Sequence, residues 1–134
     1  MKSVVLFFSI VICFSFGAKA QDMFKKAAAS NSSGDTEIKN LTSSIMEKLV
    51  PALGLSDTQK HETAKAINGF LRQKSRFLPI KEMDPVGYAS NQDNLFDSLK
   101  SKLEKILQDQ QMQKFLGLKP KTEESTDVLS NLFY

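Results

Sequence analysis

Residues 55–78 read LSDTQKHETAKAINGFLRQKSRFL, and the way this stretch opens and repeats decides the fold. Ser56-Asp57-Thr58-Gln59 places serine where a helix needs a side-chain oxygen at its cap and glutamine three residues on, the pattern of a capping box. Beyond it Ala64, Ile67, Phe70, Leu71, Phe77 and Leu78 recur at helical spacing and share one face. The spacing predicts a helix over about 57–78, ended by Pro79, which disfavours helical backbone in the residue before it. Lys60 and Lys74 fall on the apolar face, where their stems are expected to cover apolar surface while the ammonium groups reach water. Lys65, Arg72 and Arg76 line the opposite face. They are candidate contacts for an acidic partner, and such a stripe is also what a plain solvated helix face looks like.

The same periodicity continues on both sides. Toward the N-terminus, Ile38, Leu41, Ile45, Leu49 and Leu53 form one stripe, predicting a helix over about 36–53. Asp35 is its expected cap, Pro51 is expected to bend or end it, and Gly54 closes it. Toward the C-terminus, Leu95, Phe96, Leu99, Leu103, Ile106 and Leu107 give a seam for a helix over about 91–107. Residues 79–90 read as a loop punctuated by Pro85 and Gly87, with Tyr88 pinning it to the core. After Leu107 the register fails, so a break near Gln108-Asp109 and a short helix over 109–116 are expected, with Gly117 as a left-handed terminator and Leu118 packing back. The fold class that follows is all-α: a small helical bundle built on a long antiparallel helix hairpin, with a flexible N-terminal lead-in and a short docked C-terminal segment.

The ends of the chain set its organisation. Lys2, an apolar run from Val4 to Phe16 and the small residues of Ala18-Lys19-Ala20 have the layout of a cleaved signal peptide over residues 1–20. The run is about 13 residues, short of the roughly 20 that a membrane-spanning helix needs. Export to the periplasm or the medium is the expectation, with no stable membrane span after cleavage. Residues 21–35 read as a flexible linker, 36–118 as the helical domain and 119–134 as a C-terminal tail. The tail ends Val128-Leu129-Ser130-Asn131-Leu132-Phe133-Tyr134, an apolar finish expected to dock on the helices. Its Leu132, Phe133 and Tyr134 are also candidate contacts for a protein partner.

Composition narrows the chemistry. Removing Lys2 and Lys19 from the eighteen basic residues leaves sixteen against fifteen acidic ones, too even a balance to favour nucleic acid. The single cysteine, Cys13, lies within residues 1–20, so thiol catalysis and disulfide staples are not expected in the remainder. His61 is the one histidine, so a histidine cluster for zinc does not form. Asp93 with Asp97, and Glu123 with Glu124, are thin material for a metal site or an acid and base pair. No Gly-rich phosphate loop is present. Neither a cofactor nor an enzymatic activity is expected.

Two stretches echo each other. Leu55-Ser56-Asp57-Thr58-Gln59 opens one helix, and Leu107-Gln108-Asp109-Gln110-Gln111 sits at the break before another. Each reads leucine, a polar capping segment, then glutamine on the fourth position after leucine. Leu55, Ser56, Gln59, Leu107 and Gln111 are therefore the candidate motif residues, a buried leucine anchoring the chain and a glutamine capping backbone donors. With Phe115 four residues beyond Gln111, the pair resembles the paired LTxxQ motifs of the Spy/CpxP family of periplasmic proteins, over roughly residues 53–116. Serine stands for threonine at Ser56 and glutamine at Gln108, which removes the better capping oxygen from the second copy. The chain is also similar to small exported proteins of Bacteroidota-type bacteria, a likeness that implies no known activity. The Spy/CpxP resemblance implies a helical hairpin, a homodimer with a concave surface, and ATP-independent holding of unfolded envelope proteins. The expected function is thus a non-enzymatic binding protein whose partner is an unfolded client. The alternative is a structural or interaction subunit whose apolar tail docks on a protein partner.

Overall fold

The computed structural model of the chain describes residues 33–134. The signal peptide expected over 1–20, and the linker over 21–35 up to residue 32, lie outside the described residues. Five α-helices follow: α1 Ser33–Leu53, α2 Asp57–Phe77, α3 Pro85–Leu103, α4 Asp109–Gly117 and α5 Ser130–Phe133, with a 3₁₀ turn over Leu78–Ile80. No strand occurs among the described residues. Helix α2 is the centre of the bundle. It packs against α1 and α3 and receives α5, while α4 closes against α1.

The apolar stripes meet as their spacing requires. Ile38, Leu41, Ile45, Leu49 and Leu53 of α1 are buried against Ala66, Ile67, Phe70 and Leu71 of α2 and against Leu99 and Leu103 of α3 in one core. Full burial of such side chains contributes about 1.5–3 kcal/mol each before the entropy of ordering them is subtracted. Helix α2 has the predicted cap: Ser56 Oγ accepts from the Gln59 N–H at 3.3 Å, and Gln59 Oε1 accepts from the Ser56 N–H at 3.1 Å. It ends at Phe77, but Pro79 does not turn the preceding residue out of the helical region: Leu78 keeps φ −53° and ψ −40°, and the chain runs on through Pro79 as the 3₁₀ turn.

Four boundaries differ from the sequence reading, each for a local reason. Helix α1 begins at Ser33, so Asp35 lies in its first turn and not at the cap. Its carboxylate still faces the positive helix start and pairs with the Arg72 guanidinium at 3.2 Å. Helix α3 begins at Pro85, six residues before the expected Asn91. Asp84 is its cap, Pro85 occupies the first turn where a missing N–H costs nothing, and the Gly87 N–H donates to Asp84 Oδ1 at 2.9 Å. A Cβ on Gly87 would fall 2.2 Å from Asp84 Oδ2, so this cap geometry wants glycine there. The residues read as loop punctuation are a helix start. Helix α3 also stops at Leu103, four residues short, and Glu104 to Ile106 turn the chain toward Gln108, the cap of α4. Finally, Gly117 is not a left-handed terminator. Gly54, at φ 63°, is the one residue with positive φ among those described, and α4 ends through a turn in which the Leu118 N–H donates to Phe115 O.

The tail docks as expected. Leu129, Leu132 and Phe133 join the same core, and the Phe133 ring lies 5.3 Å from Phe96 and 5.4 Å from Phe115. Lys48 holds Asp127 at 2.9 Å, and Tyr134 Oη donates to Pro120 O at 2.8 Å.

Pro51 sits inside the last turn of α1, and Gly54 takes over the termination, its N–H and that of Leu55 both donating to Val50 O. A side chain at Gly54 would meet nothing within 4 Å, so replacing it tests backbone conformation alone. Gly54→Ala is expected to cost about 1–2 kcal/mol, the penalty for a left-handed L-residue. In thermal unfolding followed by circular dichroism this lowers Tm by roughly 4–8 °C per kcal/mol. An unchanged Tm would mean that the α1–α2 turn does not depend on this conformation.

Candidate functional site

The two leucine–glutamine motifs come together. Leu55 and Leu107 are both buried, and each sits just ahead of a helix start, α2 or α4. The two glutamines four residues on face one another. Gln59 Nε2 donates to Gln111 Oε1 at 2.8 Å, and Gln111 Nε2 donates back to Gln59 Oε1 at 3.2 Å. Each amide oxygen also accepts from its own cap backbone, Ser56 N–H at 3.1 Å and Gln108 N–H at 2.9 Å. The remaining donors cross over. Gln59 Nε2 reaches Ile106 O at 3.0 Å, and Gln111 Nε2 reaches Leu53 O at 3.2 Å and Gly54 O at 3.4 Å. Ile106 precedes Leu107 and Gly54 precedes Leu55, so the two motifs are related by a local pseudo-two-fold. Each glutamine caps its own helix and satisfies the carbonyl just before the other motif.

This arrangement explains the departure at Gln108. At the start of α4 the Gln111 amide oxygen accepts from the Gln108 N–H, so a glutamine side chain carries that helix start. Chemically the constellation is a lock. Amides at this geometry donate and accept hydrogen bonds but supply neither nucleophile nor general base.

The partner-contact candidates separate. Lys65, Arg72 and Arg76 remain exposed along α2, but Arg72 is engaged by Asp35 and by Asn68 Oδ1 at 3.1 Å. Leu132 and Phe133 are buried within the chain and Tyr134 is half-buried, so the apolar surface of the tail is used internally. Among the described residues, no group of three His, Cys, Asp or Glu side chains is placed to hold a metal ion, and no helix is long and apolar enough to cross a membrane.

Two polar features escaped the sequence reading. Lys74 does not reach water: it is 4 % exposed, and its ammonium donates to Asn131 O at 2.9 Å, holding α5 on α2. Its signal was positional, for it continues the buried series Thr63, Ala66, Ile67, Phe70, Leu71. The second is an open groove of about 420 Å³ between the start of α3 and the chain end. Pro85, Tyr88 and Gln92 form one wall, and Phe133 and Tyr134 the other. Lys81 pairs with Glu123 and lies over the Tyr88 ring, while Lys119 lies 4.9 Å from the Tyr134 ring centroid.

No protein-family model, curated protein or solved structure matches this chain. The fold and the site define a small all-α protein whose two motif-bearing helix starts are joined by a reciprocal amide pair.

Burial strips hydration from the Lys74 ammonium, and Lys81 repels it, against a smaller pull from Glu123; together they bring it down to about 7. The unfolded chain binds this proton near the ordinary 10.5, so protonation opposes folding. Stability is expected to rise with pH between about 7 and the onset of tyrosine titration near 10, above which Tyr88, pushed up to about 12 chiefly by burial, reverses the trend. Urea midpoints measured across that window should climb for the wild type and stay flat for Lys74→Met. A wild-type profile without the climb would contradict a buried lysine.

A double-mutant cycle tests the lock. Gln59→Ala and Gln111→Ala are each expected to cost about 1–2 kcal/mol in urea unfolding. The double variant should lose less than their sum by about 0.5 kcal/mol or more, because the two share one network. Strict additivity would show that the amides do not act together.

Proposed function

We propose that this chain is an exported, non-enzymatic binding protein that holds unfolded proteins of the cell envelope without nucleotide. The observation that carries the reading is the reciprocal pairing of Gln59 with Gln111. It gives the two motifs that resemble the LTxxQ repeats a shared physical purpose, which generic helix caps do not have. The layout of residues 1–20 supports the exported location. The accessible apolar surface supports binding: Met83 and Val86 are 78 % and 81 % exposed at the turn into α3. Methionine is an adaptable side chain, suited to clients of varied sequence. The other reading, a subunit whose tail docks on a partner, has less support, because Leu132 and Phe133 are already covered by the chain's own helices.

An aggregation assay tests the proposal. Residues 21–134 at stoichiometric ratio to a heat-denatured client, with no nucleotide, should suppress light scattering substantially. Replacing Met83 and Val86 together by serine should weaken that suppression while leaving the helical circular dichroism intact. Client scattering unaltered by the wild-type chain would defeat the holding role.

A further inference from the structure

Gln92 is 7 % exposed in the wall of the groove between α3 and the chain end, and neither its Nε2 nor its Oε1 has a hydrogen-bond partner. Native proteins rarely leave such groups unpaired, because burying them forfeits their bonds to water. The charges around the groove do not select an ion. Lys81 and Lys119 face Asp93 and Glu123, two cations to two carboxylates, and both lysines lie over tyrosine rings. Gln92 is therefore the directional polar group of a neutral, aromatic-walled groove. A primary amide presents a donor and an acceptor side by side. The C=O and N–H of one residue in extended backbone present the complementary pair.

We propose that this groove seats a short extended peptide segment, its backbone pairing with the Gln92 amide and its apolar side chain lying against Tyr88 and Tyr134. The inference rests on the holding role proposed above and locates a first point of attachment for the client. Both polar atoms of Gln92 are shut off from solvent, so the pairing requires the side chain to turn into the groove it lines. Its sp³ torsions have staggered alternatives through which it can do so.

The test is a nuclear magnetic resonance titration of ¹⁵N-labelled residues 21–134 with the blocked tripeptide N-acetyl-Ala-Phe-Ala-amide. Saturable shifts are expected at the Gln92 side-chain amide and at the backbone amides of Tyr88, Phe133 and Tyr134. Gln92→Leu should weaken binding on the order of tenfold, the loss of one good polar pairing. The same peptide methylated at the phenylalanine nitrogen should bind the wild type comparably worse, a control that does not depend on how the variant folds. Absence of shifts up to about 10 mM peptide, a Kd beyond any useful affinity, would overturn the proposal. Shifts confined to other surfaces, or equal affinity for the methylated peptide, would do the same. Tripeptide binding in the groove by a wild-type chain that fails to suppress client scattering leaves this site standing while the holding role falls. A Gln92→Leu chain that loses the tripeptide but holds the client undiminished overturns the attachment.

Discussion

The amide pair between Gln59 and Gln111 joins positions 52 residues apart and ties the start of α4 to the start of α2. Apolar burial alone does not set the register between them. Leucine and phenylalanine side chains tolerate small slides along a helix, because their attraction is non-directional. A hydrogen-bonded amide pair does not. Seven bonds converge on two side chains at the Gln59–Gln111 centre, counting the two cap N–H groups, the two crossed amide contacts, and the reach to Ile106, to Leu53 and to Gly54. A slide of one residue would break most of them and leave partly buried polar groups unpaired, at a cost of about 1–3 kcal/mol for each. The core supplies the bulk of the stability, and the amides choose which of several apolar packings is adopted.

Much of this was readable from the sequence. The stripes of α1 and α2 and the Ser56–Gln59 box rest on local rules, periodicity and capping, and those rules were obeyed. The errors came where one residue type serves two purposes. Pro85 and Gly87 punctuate loops, but behind Asp84 they make a helix start. A glycine placed like Gly117 ends many helices by going left-handed, yet among the described residues only Gly54 does so. Lys74 reads as a snorkelling lysine until α5 closes over it, which is a tertiary event 57 residues away. The same limit applies to the motif. Its two copies could be aligned by eye, but the exchange of amide bonds between them is a property of the folded chain.

Without disulfides, a described chain of this size has few ways to keep its end in place. The aromatic contacts of Phe133 with Phe96 and Phe115 are one, and the Lys48–Asp127 pair is another. Burial pushes the Asp127 carboxyl up, but the Leu129 N–H and the Lys48 ammonium outweigh it and hold the group below the usual range. The exposed pair contributes little in itself, since solvent screens it. Its value is positional, because the same Asp127 oxygen accepts from the Leu129 N–H and starts the turn that delivers Leu129, Leu132 and Phe133 to the core.

Helix α2 therefore carries polar anchors at both ends. Gln59 near its start takes hold of α4, and Lys74 near its end takes hold of α5. Fifteen residues of helix separate them, a rise of about 22 Å. The chain from Gln111 to Asn131 must span that distance in the same direction as α2, and its twenty residues are ample. Two anchors on one rigid rod fix both the position and the direction of everything after α3. This is why the tail returns beside α3, and why Phe133 and Tyr134 come to face Tyr88 and Gln92 across the groove. The groove follows from the two anchors, and Lys74, which does not line it, helps to place its Phe133–Tyr134 wall by holding Asn131.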